Sequence, residues 1–247
     1  MRWSTWASAP QSSSPRIPDD VRIYAIGDVH GRADLLQRTL STIDRTLTAF
    51  PVKNVVQVLL GDYIDRGPNS REVIETLVMR ARKHLMICLK GNHESYAAQF
   101  LSDPSILGEW QHLGGANTLL SYGLMPPKVK DANVQQRIAR EFRKALPESH
   151  HRFIHGLALS YSCGDFFFAH AGVRPGVPLS RQCEQDLLWI RDDFLLHEEQ
   201  FGKVVVHGHT PSKTPDVRAN RINIDTGAYA TGRLTCLVLQ GDRIAVI

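Results

Sequence analysis

The segment RIYAIGDVHG, Arg22–Gly31, indicates the fold most clearly, because a short apolar run ends directly in a polar loop that holds two glycines. Short runs rich in Val, Ile, Leu and Phe predict buried strands. The glycines permit the tight backbone that can bring an aspartate and a histidine close together. The segment therefore predicts a strand that ends in a loop with metal-binding or catalytic side chains.

The same arrangement recurs four more times along the chain. Val55–Leu60 is followed by GDYIDRG, Leu85–Leu89 by KGNHE, Phe166–Ala169 by HAG, and Val204–Val206 by HGHTP. Each polar cluster begins where the predicted strand should end. One such loop would carry little weight, whereas five in one chain predict a shared site.

Two amphipathic helices separate the first three strands. The apolar residues from Leu36 to Phe50 follow a 4-3-4-3 spacing, and Val73–Ala81 continues in the same way after Asn69, a predicted N-cap. Alternating strands and helices predict a parallel sheet covered by helices. Because ligands of such sheets bind beyond the carboxyl ends of the strands, we expect all five loops to converge.

The remaining segments divide the chain into a tail and one domain. Residues 1–20 are rich in Ser and Pro, and we expect a disordered N-terminal tail there. Residues 21–247 predict a single catalytic domain, in which the Pro and Gly residues of 99–131 indicate an irregular insertion, with one short helix, near the active site. Residues 134–142 predict a helix, and the polar segment 149–155, SHHRFIH, is expected to lie on the surface.

The composition is ordinary for a soluble globular protein, with 43% apolar and 22% charged residues, which excludes disordered, collagen-like and coiled-coil classes. No apolar run approaches the about 20 residues of a membrane-spanning helix. A net charge of +4 is too small to indicate a nucleic-acid or membrane surface. Four widely spaced cysteines without a CxxC pair predict free thiols, and we expect a cytoplasmic protein.

The five loops offer carboxylates, imidazoles and one carboxamide, but no thiolate. This donor set suits divalent Mn, Fe or Zn and argues against a structural zinc site. More than four good ligands are present, so two metals sharing one carboxylate would use them better than one, and Asp62 is the central carboxylate. The candidates are Asp28, His30, Asp62, Asp65, Asn92, His93, Glu94, His170, His207 and His209.

Taken in this order, GDVHG, GDYIDRG, GNHE, HAG and GHTP resemble the signature of the phosphoprotein phosphatase family of calcineurin-like metallophosphoesterases, and bacterial and phage serine/threonine phosphatases in particular. The resemblance extends from residue 22 to about residue 240 and includes INIDTGA at Ile222–Ala228. It implies an α/β calcineurin-like fold, a central β-sandwich of two mixed sheets flanked by helices. It also implies two divalent metal ions, with Mn as the expected metal and Fe or Zn as alternatives.

The resemblance implies a role for each matching residue. His93 resembles the general acid and Asp65 the carboxylate that orients it, while Arg66 and Arg191, with Asn92, resemble the phosphate-binding residues. His207 has no counterpart among the family's ligands and is expected to lie behind them. The implied metal ligands are Asp28 and His30 at the first metal, Asp62 as the bridge, and Asn92, His170 and His209 at the second.

The implied reaction is hydrolysis of phosphoserine or phosphothreonine in a protein or peptide, by direct attack of a hydroxide that bridges the two metals. The alternative is a diadenosine tetraphosphate hydrolase, which shares the fold and most motifs. Asp65 and Pro211 favour the protein phosphatase, because the dinucleotide hydrolases differ in these two motifs. A silent scaffold is disfavoured because no ligand, acid or arginine is missing, and a nuclease because the net charge is small.

Overall fold

The protein is described by a computed structural model that covers residues 4–5, 14–128 and 131–247. Its strands form a six-stranded sheet and a five-stranded sheet. The strands are β1 (Ser4–Thr5), β2 (Val21–Ile26), β3 (Asn54–Leu59), β4 (Met86–Cys88), β5 (Ser160–Cys163), β6 (Phe166–Ala169), β7 (Val204–His207), β8 (Asp216–Val217), β9 (Arg221–Asn223), β10 (Cys236–Gln240) and β11 (Arg243–Val246).

Helices lie along both outer faces of the sheets. Within the described ranges, no helix is long and apolar enough to span a bilayer. The helices are α1 (Ala33–Ala49), α2 (Ser70–Ala81), α3 (Asn92–Ser102), α4 (Leu107–Trp110), α5 (Ala116–Ser121), α6 (Ala132–Ala145), α7 (Glu148–His155), α8 (Glu184–Trp189), α9 (Asp192–Leu195) and α10 (Ala228–Thr231).

Both sheets are mixed. The first has the order β1-β11-β10-β2-β3-β4, with β2, β3 and β4 parallel and the other pairs antiparallel. The second has the order β5-β6-β7-β9-β8, with β6, β7 and β9 parallel. The predicted fold class, two mixed sheets flanked by helices, is confirmed.

Strand alternation explains why this sandwich needs apolar residues on both faces of its central strands. Ile23 and Ala25 of β2 lie in the apolar layer between the two sheets, together with Phe168 of β6. Tyr24 and Ile26, which point the opposite way, belong to the layer between the first sheet and its helices. Because successive side chains point to opposite faces, a strand that is buried on both reads as a continuous apolar run.

The predicted strands and the three predicted helices are present, with ends that differ by up to three residues. Asn69 immediately precedes α2 as predicted, but its side chain makes no capping hydrogen bond. Glu72, three residues further on, instead accepts a hydrogen bond from Gln37 of α1 at 2.9 Å. The start of α2 therefore depends on packing against α1 more than on its cap.

The N-terminal segment is ordered further towards the start of the chain than the sequence predicts. Disorder is predicted for residues 1–20, whereas in residues 14–20 the side chain of Ile17 is 1% exposed. The N–H of Ile17 donates to the turn between β10 and β11 at 3.0 Å. Its side chain lies in the apolar layer between the sheets, which holds this part of the chain on the domain. Residues 1–3 and 6–13 of the predicted tail lie outside the described residues.

The insertion 99–131 is more helical than predicted. It contains the end of α3, a 3₁₀ turn at Pro104–Ile106, α4, a π-helical turn at Gln111–Gly115, and α5. Gly114, with φ of +111°, turns the backbone between α4 and α5. Trp110 anchors the segment, because its fully buried ring packs against Phe100 and Phe142 with centroids 5.1 and 5.5 Å apart. The glycines therefore bend a helical segment and do not mark a loop.

The prediction that SHHRFIH lies on the surface is wrong for His150. This residue of α7 is fully buried. Its Nδ1 lies 2.8 Å from the hydroxyl of Tyr122, and its Nε2 lies 2.8 Å from a carboxylate oxygen of Glu75. His150 shares one face of α7 with the buried Ile154, four residues on. The polar composition of the segment hid this inward face.

We expect His150→Ala to lower the free energy of unfolding by about 2 kcal/mol, because it leaves the buried Tyr122 hydroxyl without its partner and opens a cavity. Chemical denaturation would measure the loss. The matched control is His155→Ala, at an exposed position of the same helix, for which we expect a change within about 0.5 kcal/mol. Equal effects of the two substitutions would contradict a structural role for the His150 hydrogen bonds.

Candidate metal centre

The five predicted loops meet where the parallel strands of the two sheets end. Two groups of buried side chains lie close enough to hold metal ions, His30–Asp62–His93 and Asp62–His170–His209. Within each group the candidate ligand atoms lie within 4.8 Å of one another. Residues separated by up to about 180 positions are thus brought together, as the convergence of the strands predicts.

Asp62 is the residue that the two groups share. One of its carboxylate oxygens, Oδ2, lies 3.4 Å from Nε2 of His30, and the other, Oδ1, lies 3.4 Å from Nε2 of His170. The two oxygens therefore face different groups. This is the position that a bridging carboxylate between two ions requires, the role predicted for Asp62.

Backbone carbonyls orient two of the histidines. Nδ1 of His30 donates to the carbonyl oxygen of Ile64, and Nδ1 of His170 donates to that of Leu60, both at 2.9 Å. Because Nδ1 carries the proton in each ring, the lone pair of Nε2 points towards Asp62. A histidine whose outer nitrogen is fixed in this way is the usual arrangement of a metal ligand.

Asn92 and Asp28 complete the candidate donor set. Oδ1 of Asn92 lies 3.0 Å from Nε2 of His170 and 3.0 Å from Nδ1 of His209, while the N–H of His209 donates to Oδ2 of Asp28 at 3.0 Å. Among the described residues, Oδ1 of Asp28, Nε2 of His30 and Nε2 of His209 are buried without a hydrogen-bond partner. Such atoms are costly to bury unless something binds them. A divalent ion in the first group would satisfy Nε2 of His30. Asp28, a predicted ligand, is not a member of either group.

The electrostatics of the cluster also fit metal binding. Burial raises the pKa of Asp28 well above its usual value, and the nearby carboxylates of Asp225 and Asp62 add to the rise. Burial would raise the pKa of Asp62 as well, but the surrounding histidines hold it below its usual value. Burial lowers the pKa of His30 to about 3 and that of His209 to about 2. Neutral imidazoles beside crowded carboxylates are the state that binds a cation.

Backbone strain is concentrated in the same loops. Each affected residue has φ between +43° and +71°, in the left-handed region that L-residues avoid at a cost of about 1–2 kcal/mol. Such conformations persist where the surrounding structure imposes them, and they cluster at functional sites. The non-glycine residues with positive φ in the described ranges are His30, Asp62, Asp65, Arg66 and His209.

His93, a member of the first group, forms a buried pair with Asp65. Nδ1 of His93 donates to Oδ2 of Asp65 at 2.7 Å. The indole N–H of Trp110 donates to the same oxygen at 2.9 Å, and the hydroxyl of Thr118 donates to Oδ1. Burial would lower the pKa of His93, but Asp62 and Asp65 hold it above its usual value. The pair has the geometry of an oriented general acid, and the insertion supplies two residues that fix it.

The two arginines lie on different sides of the centre. Nη2 of Arg66 lies 3.2 Å from Nε2 of His93, and its guanidinium stacks over the ring of Tyr229 with 5.0 Å to the centroid. Arg191 is exposed, with Nη1 3.5 Å from the hydroxyl of Thr210 in the loop after β7. Arg66 therefore borders the first group, and Arg191 lies near the loop that carries His209 of the second.

Glu94 has a positioning role that the sequence did not reveal. Its buried carboxylate accepts hydrogen bonds from the N–H groups of Asp62, Tyr63 and Gly91 at 2.7 to 3.0 Å. Burial raises its pKa to about 7, and the charge of Asp62 contributes to the rise. Glu94 thereby ties the loop after β3 to the start of α3.

Asp225 was missed as a candidate, although the signal was present. It follows β9 in the same way as the other loops follow their strands, and it is 2% exposed. Burial raises its pKa to about 6, and it lies close enough to Asp28 to raise the pKa of that residue too.

His207 lies outside both groups, fully buried with its ring 4.9 Å from that of Phe194.

This chain is similar in sequence to a known family and to several known proteins. A sequence profile described as calcineurin-like phosphoesterase matches residues 21–244. Bis(5'-nucleosyl)-tetraphosphatase PrpE [asymmetrical] of Anoxybacillus flavithermus is 25% identical over 234 residues, which cover 86% of this chain and 88% of the relative. Serine/threonine-protein phosphatase 2 of Escherichia coli K12 is 28% identical over 222 residues, which cover 86% of this chain and 90% of that protein.

A solved structure agrees with the fold. The crystal structure of a provisionally named diadenosine tetraphosphatase superposes with a TM-score of 0.63 and covers 92% of each chain. The two sequences are 19% identical, so the similarity bears on the fold alone.

We expect His93→Asn to lower turnover of a phosphoserine peptide by about 100-fold or more while the bound metal stays nearly unchanged, because His93 is the predicted acid and not a predicted ligand. Elemental analysis of the purified variant beside a turnover assay would measure both. His209→Asn is the matched comparison, for which we expect metal to be lost as well. Loss of metal from His93→Asn would identify His93 as a ligand of the first group.

Gly114→Ala should displace Arg66, because a Cβ at Gly114 would lie 2.8 Å from the backbone nitrogen of Arg66. We expect kcat/KM to fall by about ten-fold or more without loss of metal, since a phosphate-binding group moves. Gly123→Ala is the matched control, because Gly123 also has positive φ but has open space at its Cβ. Similar kinetics in the two variants would mean that backbone strain, and not the contact with Arg66, causes the effect.

Proposed function

The chain belongs to the calcineurin-like phosphoesterase family, and from this we propose that it hydrolyses the polyphosphate bridge of a dinucleoside tetraphosphate. One observation carries the proposal. The A. flavithermus relative is named for this activity, and the alignment with it covers 86% of the chain. At the level of the family, the protein is a metal-dependent phosphoesterase.

The arrangement of cationic groups supports a polyphosphate substrate. Arg66 lies beside the first group and Arg191 lies in reach of the second. A guanidinium presents a planar fork that meets two phosphate oxygens at once. Cations on both sides of the centre suit a row of charged phosphates that extends across it.

The proposed cofactors are two divalent ions, with Mn as the expected metal and Fe or Zn as alternatives. Bound there, the ions would activate a water for attack on phosphorus and neutralise part of the phosphate charge. The proposed ligands are Asp28, His30, Asp62, Asn92, His170 and His209.

The chain's own residues then have separate tasks. Arg66 and Arg191, with the amide of Asn92, bind the phosphoryl oxygens, whose charge must be stabilised as the new P–O bond forms and the old one breaks. His93 is held by Asp65 through Nδ1, so its Nε2 faces the centre. From Nε2 it donates a proton to the oxygen of the leaving group.

A second candidate is hydrolysis of phosphoserine or phosphothreonine in proteins. The observation that favours it is the 2.7 Å hydrogen bond between His93 and Asp65. An alkoxide is a poor leaving group without a proton, whereas a polyphosphate leaves readily, so an oriented acid matters more for the phosphoprotein. The E. coli relative is named for this activity. The sequence ranks this substrate first, but the relatives favour the dinucleotide.

A cytoplasmic location is part of the proposal. The four cysteines, Cys88, Cys163, Cys183 and Cys236, are free thiols. Burial raises the pKa of Cys88 to about 12, which keeps this thiol protonated and unreactive. Thiols of this kind are typical of proteins in a reducing compartment.

The proposal predicts that the Mn-loaded protein has a higher kcat/KM on diadenosine tetraphosphate than on a phosphoserine or phosphothreonine peptide. Steady-state kinetics on both substrates would measure the ratio. A higher value for the peptide would favour the second candidate and leave the centre as described. Absence of activity on both would contradict both candidates.

The variant Asp65→Asn sharpens the same comparison. Because an alkoxide leaving group depends far more on the oriented acid than a polyphosphate does, we expect a loss of about 100-fold or more on the peptide and less than about ten-fold on the dinucleotide. The matched control is Asp242→Asn, in the exposed turn between β10 and β11. This turn lies next to the start of β2, at the end of the sheet opposite to the metal centre, so the substitution should leave both rates unchanged. Equal losses on the two substrates would show that Asp65 acts on folding or metal binding and not on the leaving group.

A further inference from the structure

An open groove of about 380 Å³ lies beside the metal centre and has no role in the mechanism above. It is formed by the first turns of α3 on one side and by α8 on the other. Two aromatic side chains, two amides and one hydroxyl line it: Tyr96, Trp189, Gln99, Gln185 and Ser95.

The groove borders the second group. Trp189 is the last residue of α8, two residues before Arg191, and its ring centroid lies 6.2 Å from that of His209. Tyr96 is four residues after Asn92 on α3, so the two side chains share a face of that helix. A phosphate bound at the second group and Arg191 would thus lie next to Trp189.

The aromatic rings form a corner. Tyr96 and Trp189 have centroids 5.7 Å apart and meet at 76°, an edge-to-face contact. The hydroxyl of Tyr96 donates to Glu109, which holds that ring in place. An aromatic ring beside a phosphate site can bind a nucleobase, because every base has a face that can stack.

The polar lining identifies the ligand more closely. Gln99 and Gln185 are exposed, and neither side-chain amide has a hydrogen-bond partner among the residues that the structure describes. An amide offers both donors and acceptors, which match the edge of a base. An apolar peptide side chain would fill the aromatic corner but leave both amides unused.

We infer that this groove binds one nucleobase of the substrate, with Trp189 as the stacking surface and Gln99 and Gln185 at the edge of the base. The inference rests on the proposed function and names the subsite that would recognise the nucleoside. Arg191 would hold the phosphate that links this nucleoside to the centre. Trp189 would then separate nucleotides from other phosphates that bind to the same metals.

The test compares the dissociation constants of AMP and of inorganic phosphate, measured by calorimetry on the Mn-loaded full chain. In the unmodified protein we expect AMP to bind at least about ten-fold more tightly than phosphate, because only AMP has a base to stack. Trp189→Ala should reduce this ratio by between about 5-fold and 100-fold, and Trp189→Phe should retain most of it. The ratio is used because a general loss of metal or of folded protein affects both ligands.

Two further variants keep the result interpretable. Gln185→Ala, at an exposed position, should lower the ratio by a few-fold without a risk to folding. Phe50→Ala removes an exposed aromatic ring at the far end of α1 and should leave the ratio unchanged. An AMP preference that is absent, or one that survives Trp189→Ala, would overturn the inference.

The outcome can be separated from that of the proposed function. If the protein shows a Trp189-dependent preference for AMP but does not cleave diadenosine tetraphosphate, the subsite is supported and the proposed substrate is contradicted. If the protein cleaves the dinucleotide but its preference for AMP does not depend on Trp189, the proposed function is supported and the subsite is contradicted.

Discussion

The site depends on one constraint, the placement of the Asp62 carboxylate with one oxygen towards each histidine group. Asp62 sits directly after a buried strand with its backbone at φ of +53°, a conformation that is unfavourable for an aspartate. Glu94 compensates by accepting the N–H groups of Asp62 and Tyr63, which the sharp turn would otherwise leave without partners. A second carboxylate buried so close to the first is itself unfavourable, and bound cations would relieve both.

The sandwich explains how this constraint is met. The parallel strands of both sheets end on the same side of the sandwich. Loops from distant parts of the chain are therefore held near one another by rigid strands. Close contacts then fix their separation. A Cβ at Gly91 would lie 2.1 Å from Oδ1 of Asp62, and one at Gly208 would lie 2.0 Å from Oδ1 of Asp28. These two glycines are needed because another chain segment occupies the space of a side chain, and such contacts make the centre compact.

The strands and the loops of the metal centre could be predicted from the sequence, but the polar contacts that hold the centre from behind could not. Strand ends and ligand loops were visible, because a doubly buried strand leaves a continuous apolar run and a tight loop leaves its glycines. Trp110 and Thr118 were not visible, because their bonds to Asp65 span 45 and 53 positions. His150 was misplaced for a related reason, since its burial depends on Tyr122 and Glu75 and not on its neighbours in the chain. Local pattern reveals an element and its exposed or buried face, whereas pairs of polar groups across the core require the packed structure.

The insertion links these observations to reactivity. The orientation of His93 and its hold on a proton depend on Asp65, and Asp65 is held by Trp110 and Thr118 from the insertion. The backbone carbonyl of Gly114, in the same segment, accepts the N–H of Arg66. One segment therefore positions both the proposed proton donor, His93, and one arginine of the proposed phosphate site, Arg66. Because general acids matter in proportion to how poor the leaving group is, changes in this segment can shift the balance between phosphoesters and phosphoanhydrides without altering a metal ligand.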